Sequence, residues 1–284
     1  HPYAYAGNDP LNHVDPEGLS FWSVFGAVVG AIVGVVLAVA AIALIAATGG
    51  AFAAVLIGIG AALLGAGIVG VSYAIASANR GTAVGEFFRG FMIGFNAGAN
   101  AVIATALFGP VIGVALGVIN FLAAFDSIAG NRVFQGILGW SSWLMPMSWL
   151  VTAVGLVFYV FNLVMAGITF QQWDAAKISS LSIDWSTGTL LMEGGLIRPA
   201  GGSTGFNMGH FVFLSPGSTA AQHELGHTLN LAAYGWAFHY IGALDENVFG
   251  GGGNAISEVL ADSHDPARAP GPGSSLDQWD PAHT

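Results

Sequence analysis

From Gly18 to Asn79 the chain carries no charged residue. Few folds accept such a stretch. Phe21 to Ala47 and Ala51 to Ala78 are two apolar runs, and about 20 apolar residues are enough to span a bilayer. Met92 to Phe125 is a third run, interrupted by Asn96, Asn100 and Pro110, and Trp140 to Phe170 is a fourth. A large soluble bundle would need polar helix faces, and the first two runs have almost none. Residues 20–170 therefore read as hydrophobic helices that insert into a membrane.

Glycine spacing supports that reading. Gly26, Gly30 and Gly34 stand four apart, as do Gly109, Gly113 and Gly117. Small residues at this spacing let helix backbones approach closely in lipid. In water each would weaken a helix by about 1 kcal/mol relative to alanine. Trp140, Trp143 and Trp149 near the start of the fourth run, with Trp173 past its end, suit a membrane interface. Arg80, Arg89 and Arg132 are too few to set an orientation, and Glu86 and Asp126 read as loop residues beside them.

Charge returns at Gln171-Gln172-Trp173-Asp174, so residues 171–284 read as a separate, small α+β domain. Residues 178–185 and 189–192 alternate like a strand pair around a Ser186-Thr187-Gly188 turn, and residues 209–214 read as another strand. Overall the chain is expected to be mainly α. Its formal charge of −10, with only six Lys+Arg, argues against nucleic acid as a partner. Without cysteine, no disulfide or thiolate site is possible.

Within this region stands His223-Glu224-Leu225-Gly226-His227. On a helix, positions i and i+4 share a face, so both imidazoles can reach one metal ion. Glu224, slightly to the side, is placed to take a proton from water activated there. Thr219-Ala220-Ala221-Gln222 is a capping-box pattern at the expected helix start. A strand, a tight turn and a helix with two histidines is similar to the layout of zincin peptidases.

A catalytic zinc site needs a third protein ligand. Asn230 and Ala233 stand where the metzincin pattern requires glycine and histidine, so that form fails. Glu246 follows His227 at the spacing of H-E-x-x-H-x18-E aminopeptidases. Glu258 and Asp262 lie in Ser257-Glu258-Val259-Leu260-Ala261-Asp262, which resembles the E-x-x-A-D variant of the gluzincin helix. That resemblance implies that Glu258 binds zinc and that Asp262 holds a ligand histidine by its second nitrogen. Glu258 is preferred to Glu246 because it brings its own supporting partner on one helix face. His239, Tyr240 and His264 are candidates to steady an oxyanion, and His210 reads as a strand residue.

At the other end, Tyr3, Tyr5, Asn8, Pro10, Asn12, Asp15, Pro16, Gly18 and Leu19 fit Y-x-Y-x-x-N-x-P-x-N-x-x-D-P-x-G-L. Residues 1–19 thus resemble the end of the RHS-repeat-associated core of polymorphic toxins. The resemblance implies a longer precursor, a hollow RHS shell that encloses its payload, a toxin domain downstream and a cognate immunity protein. The expectation is an RHS-type toxin delivered to a target cell, with hydrophobic helices that enter or cross the target membrane and a zinc peptidase that acts on a peptide or protein substrate. Two alternatives stay open: a pore-forming toxin whose C-terminal domain is inactive, and a Glu224 that serves only to cut the precursor.

Overall fold

The computed structural model of the chain describes residues 21–48, 51–199 and 204–264. The RHS-like segment 1–19 and the tail 266–284 lie outside the described residues. The fold is mainly α with a small mixed sheet. The helices are α1 (Phe21–Thr48), α2 (Ala51–Ala78), α3 (Ala83–Phe108), α4 (Pro110–Leu122), α5 (Asp126–Ala129), α6 (Arg132–Ser142) and α7 (Trp149–Ile168). Strands β1 (Ile178–Asp184), β2 (Thr189–Gly194), β3 (Gly205–Met208) and β4 (Phe211–Leu214) follow, then α8 (Ala221–Asn247) and α9 (Ile256–Asp262).

Four helical segments are long and apolar enough to cross a membrane: Phe21–Ala47, Ile59–Ala78, Ala83–Phe108 and Pro146–Ile168. The third apolar run is broken at Gly109, where a positive φ of 92° and Pro110 begin a new helix. It also starts earlier than expected. Thr82 caps α3 by accepting the Gly85 amide, which places Glu86 and Arg89 inside the helix. Neither Glu86 nor Asp126 is a loop carboxylate. Both pair with the buried Arg89 at 2.9 Å, one from the first turn of α3 and one from α5.

Helices α1 and α3 meet along their glycines. An added Cβ on Gly26, Gly30 or Gly34 would lie 1.9, 2.1 or 2.2 Å from the carbonyl oxygen of Phe87, Phe91 or Phe95. The contact is reciprocal: on α3, Gly90, Gly94 and Gly98 face the carbonyls of Ser23, Ala27 and Ala31 at 1.8, 1.9 and 2.3 Å by the same measure. Only backbone-to-backbone packing fits that gap. Another face of α1 stays open, with Ile32 60% and Val36 59% exposed.

The sheet runs β1-β2-β4-β3, with β1/β2 and β3/β4 antiparallel and β2/β4 parallel. β3, to which the sequence reading assigns no element, is an edge strand. Trp140 and Trp143, expected at a membrane interface, hold this sheet. Their indole N–H groups donate to the carbonyls of Trp185 and Gly188, and Trp143 lies over His210.

The regions before and after residue 170 share their cores. One buried cluster joins Tyr73 of α2, Met92 and Ile93 of α3, Leu116 of α4 and Phe134 of α6 to Phe238 of α8 and Leu260 of α9. Each fully buried side chain of this size stabilises the fold by about 1.5–3 kcal/mol. A second cluster joins Trp143, Phe158 and Tyr159 to Met192, Phe211 and Phe213 of the sheet. The histidine-bearing helix is thus packed against the apolar helices.

Candidate metal centre

α8 begins at Ala221, after Ala220, whose side chain makes no cap; Ser218 Oγ accepts the Ala220 amide instead. The capping box expected at Thr219 does not form. His223 and His227 fall one turn apart, with their Nε2 atoms 3.2 Å from each other.

α9 supplies the third group. Glu258 Oε2 lies 3.0 Å from His223 Nε2, and its Oε1 lies 3.3 Å from His227 Nε2. His223, His227 and Glu258 form a group able to hold a metal ion, with all three donor atoms within 4.8 Å of one another. Asp262, one turn after Glu258, sits 2.7 Å from His223 Nδ1. A hydrogen bond there fixes the ring so that Nε2 faces the centre. Gly226, between the two histidines, makes this approach possible. A Cβ on it would lie 2.4 Å from the Ala261 carbonyl oxygen, so α9 packs on bare backbone.

The electrostatics follow from burial and neighbours. Burial disfavours charge on Glu258, but its hydrogen bonds with His223 and His227 outweigh this and bring the carboxyl down to about 2. Burial likewise works against a charged His223, yet Glu258, Glu224 and Asp262 together lift it to about 9. Glu224 is buried, which holds its carboxyl above the ordinary value although both histidines pull it down. It lines a cavity of about 520 Å³ together with His223, His227, Glu258 and Asp262.

β3 and Thr204 just before it form another wall of that cavity. Asn207 anchors it: its Nδ2 donates to the Glu224 carbonyl at 3.0 Å and to Thr228 Oγ1 at 2.8 Å. This strand and its asparagine escape the sequence reading because Gly205-Phe206-Asn207-Met208 is too short to alternate.

The remaining wall comes from the second half of α8. Gly235 breaks the helix with φ 81° and ψ 176°. The carbonyls of Ala232 and Ala233, freed by the break, accept from Nδ2 of both Asn96 and Asn120 at 2.9–3.1 Å. Asn96, one of the residues that interrupt the third apolar run, and Asn120 therefore satisfy the broken motif helix. Beyond the break the chain brings His239, Tyr240 and Glu246 to the cavity. His239 lies with its ring centroid 6.4 Å from that of His227, and burial, helped by the His227 charge, lowers it to about 4. Glu246 is outside the ligand group.

His264 does not reach the cavity; its Nδ1 meets Gln135 Nε2 at 3.2 Å. His210 is fully buried between Ser142 Oγ at 2.6 Å and Thr152 Oγ1 at 2.8 Å, where burial lowers it to about 4. It fastens the sheet to α6 and α7.

No protein-family model, curated protein or solved structure matches this chain.

Proposed function

We propose that the chain is the C-terminal part of an RHS-type toxin and that it hydrolyses peptide bonds with a zinc ion held by His223, His227 and Glu258. The observation that carries the reading is the meeting of two imidazole Nε2 atoms and one carboxylate at 3.0–3.3 Å, with Glu224 on the same cavity. Two nitrogens and one oxygen suit zinc, and three protein ligands are the number that leaves a position open for chemistry. When bound, zinc polarises a carbonyl and lowers the pKa of water to about 7.

The chain's own residues do the rest. Glu224 takes the proton of the attacking water and passes it to the departing amine. Its burial favours this, because a carboxyl held above its ordinary value both accepts and returns a proton more readily near neutral pH. Tyr240 lines the same cavity with a hydroxyl that can donate to the oxyanion. Asp262 keeps His223 oriented.

The shared core gives the delivery idea a specific form. α8 moves with α2 and α3, so the site stays with the helices that enter the target membrane. The substrate is then a peptide or protein segment at that membrane. The RHS shell would keep the open faces of α1 and α2 from aggregating before release, and a cognate immunity protein would protect the producing cell.

The test is metal content and peptidase activity measured together. Wild-type protein should carry one zinc and cleave a peptide mixture. Glu224→Gln should keep the zinc and lose activity by at least about 100-fold, whereas His223→Ala should lose the zinc. Undiminished activity of Glu224→Gln would sink the proposal. The exposed apolar face of α1 favours a second reading, membrane disruption without proteolysis. Dye release from liposomes that is equal for wild type and Glu224→Gln, together with equal toxicity, would select it.

A further inference from the structure

The cavity beside the metal centre holds four carboxylates, those of Glu224, Glu246, Glu258 and Asp262. Among the described residues, no lysine or arginine lines it. Three of the described arginines are committed elsewhere: Arg89 to Glu86 and Asp126, Arg198 to the carbonyls of Ala175 and Gly195, Arg80 to that of Asn254. A bound dication would offset two of the four charges and leave the cavity negative.

Glu258 and Asp262 are both engaged by His223, and Glu224 has its part in the chemistry. Glu246 has neither role. It is partly buried, and among the described residues its one hydrogen bond comes from its neighbour Asn247, at 3.0 Å. A second acceptor lines the same cavity. Asn230 is 2% exposed, and its Nδ2 donates to the Ser257 carbonyl at 2.9 Å, which fixes the amide. Its Oδ1 is left buried without a hydrogen-bond partner. Burying an acceptor unmet costs about 1–3 kcal/mol, so such an atom marks where a donor arrives with a ligand.

Resting on the peptidase reading above, we infer that this cavity selects substrates with a cationic side chain, lysine or arginine, next to the scissile bond. Glu246 supplies the countercharge and Asn230 Oδ1 an additional acceptor. An ammonium or guanidinium brings only donors, which match a cavity that offers only acceptors at these two places. An acidic side chain would meet like charge and no donor pair.

Matched peptides with lysine, norleucine or glutamate at each position around one bond test this on the zinc-loaded chain in detergent. At one position kcat/KM should run lysine over norleucine over glutamate. Glu246→Gln should reduce the lysine-to-norleucine ratio about tenfold, in line with a charged hydrogen bond. Glu246→Lys should turn the preference towards glutamate. Zinc content measured on each variant confirms that the metal centre is intact. Cleavage with no lysine preference in the wild type, or a ratio unmoved in both variants, would overturn the inference and leave the peptidase reading standing. Calorimetric binding of the lysine peptide to Glu224→Gln separates the reverse case. Binding that Glu246→Gln weakens about tenfold, with no cleavage by the wild type, would uphold the cationic site and reject hydrolysis.

Discussion

A methyl group on Gly226 would press on the Ala261 carbonyl, and the first thing to move would be α9 with its Glu258 and Asp262. Gly226→Ala should therefore weaken zinc binding by roughly 10–100-fold, the range for losing support around a ligand, with little change in helix content. Competition titration against a chelator measures it. Protons compete at the same place. In the metal-free protein His223 is raised to about 9, so the stability this adds is complete below the ring's unfolded value near 6.5 and fades as pH rises through about 9. Glu258, lowered to about 2, contributes above its unfolded value near 4.5 and loses that contribution as pH falls towards 2. The melting temperature of the metal-free protein should thus fall between pH 7 and 9.5. Over the same interval zinc binding should tighten, because the ring must shed its proton to serve as a ligand. A melting temperature that rises would contradict the His223 environment described above.

At the scale of elements, two helices joined by facing glycines make a sharp prediction. Gly94→Leu drives a side chain into the Ala27 carbonyl and should cost at least about 1–3 kcal/mol, read as a lowered detergent unfolding midpoint. Val36→Leu, on the open face of α1, should leave it nearly unchanged. The spacing of Gly26, Gly30 and Gly34 is legible as a close-packing face; Gly90, Gly94 and Gly98 on α3 share that spacing but are not among the ladders the sequence reading names, which are this one and Gly109, Gly113 and Gly117. The partner of a glycine face is not legible, because spacing names no neighbour. The same limit explains the tryptophans. Trp140 and Trp143 have the composition of an interface belt, but their N–H groups found carbonyls of the turn between β1 and β2, which are in place only once those strands pair. His223, Glu224 and His227 could be placed on one face from i, i+4 periodicity alone. The edge strand and Asn207 could not, since four residues carry no period and a side chain's long-range acceptor is set by the fold.

Taken whole, the molecule does not divide cleanly where charge reappears in the sequence. Composition changes at residue 171, yet Phe238 and Leu260 pack with Met92 and Leu116, and Asn96 and Asn120 bind carbonyls of α8. Residues 171–284 expressed alone should lack a cooperative unfolding transition and bind zinc weakly, whereas the full chain in detergent should show both. A stable, zinc-binding fragment would refute the shared core. The full chain should also need detergent or lipid to remain monodisperse. Gly235 adds a last consequence. Because the backbone leaves the helical path there and asparagines satisfy the exposed carbonyls, the two halves of α8 are rotationally uncoupled. Removing one residue just beyond Gly235 would swing everything downstream by about 100° around its axis while the two histidines kept their bearing. Because α9 lies downstream, such an edit would carry Glu258 away from an unmoved pair of histidines, making that hinge point the place where the three candidate ligands can be parted without replacing any of them.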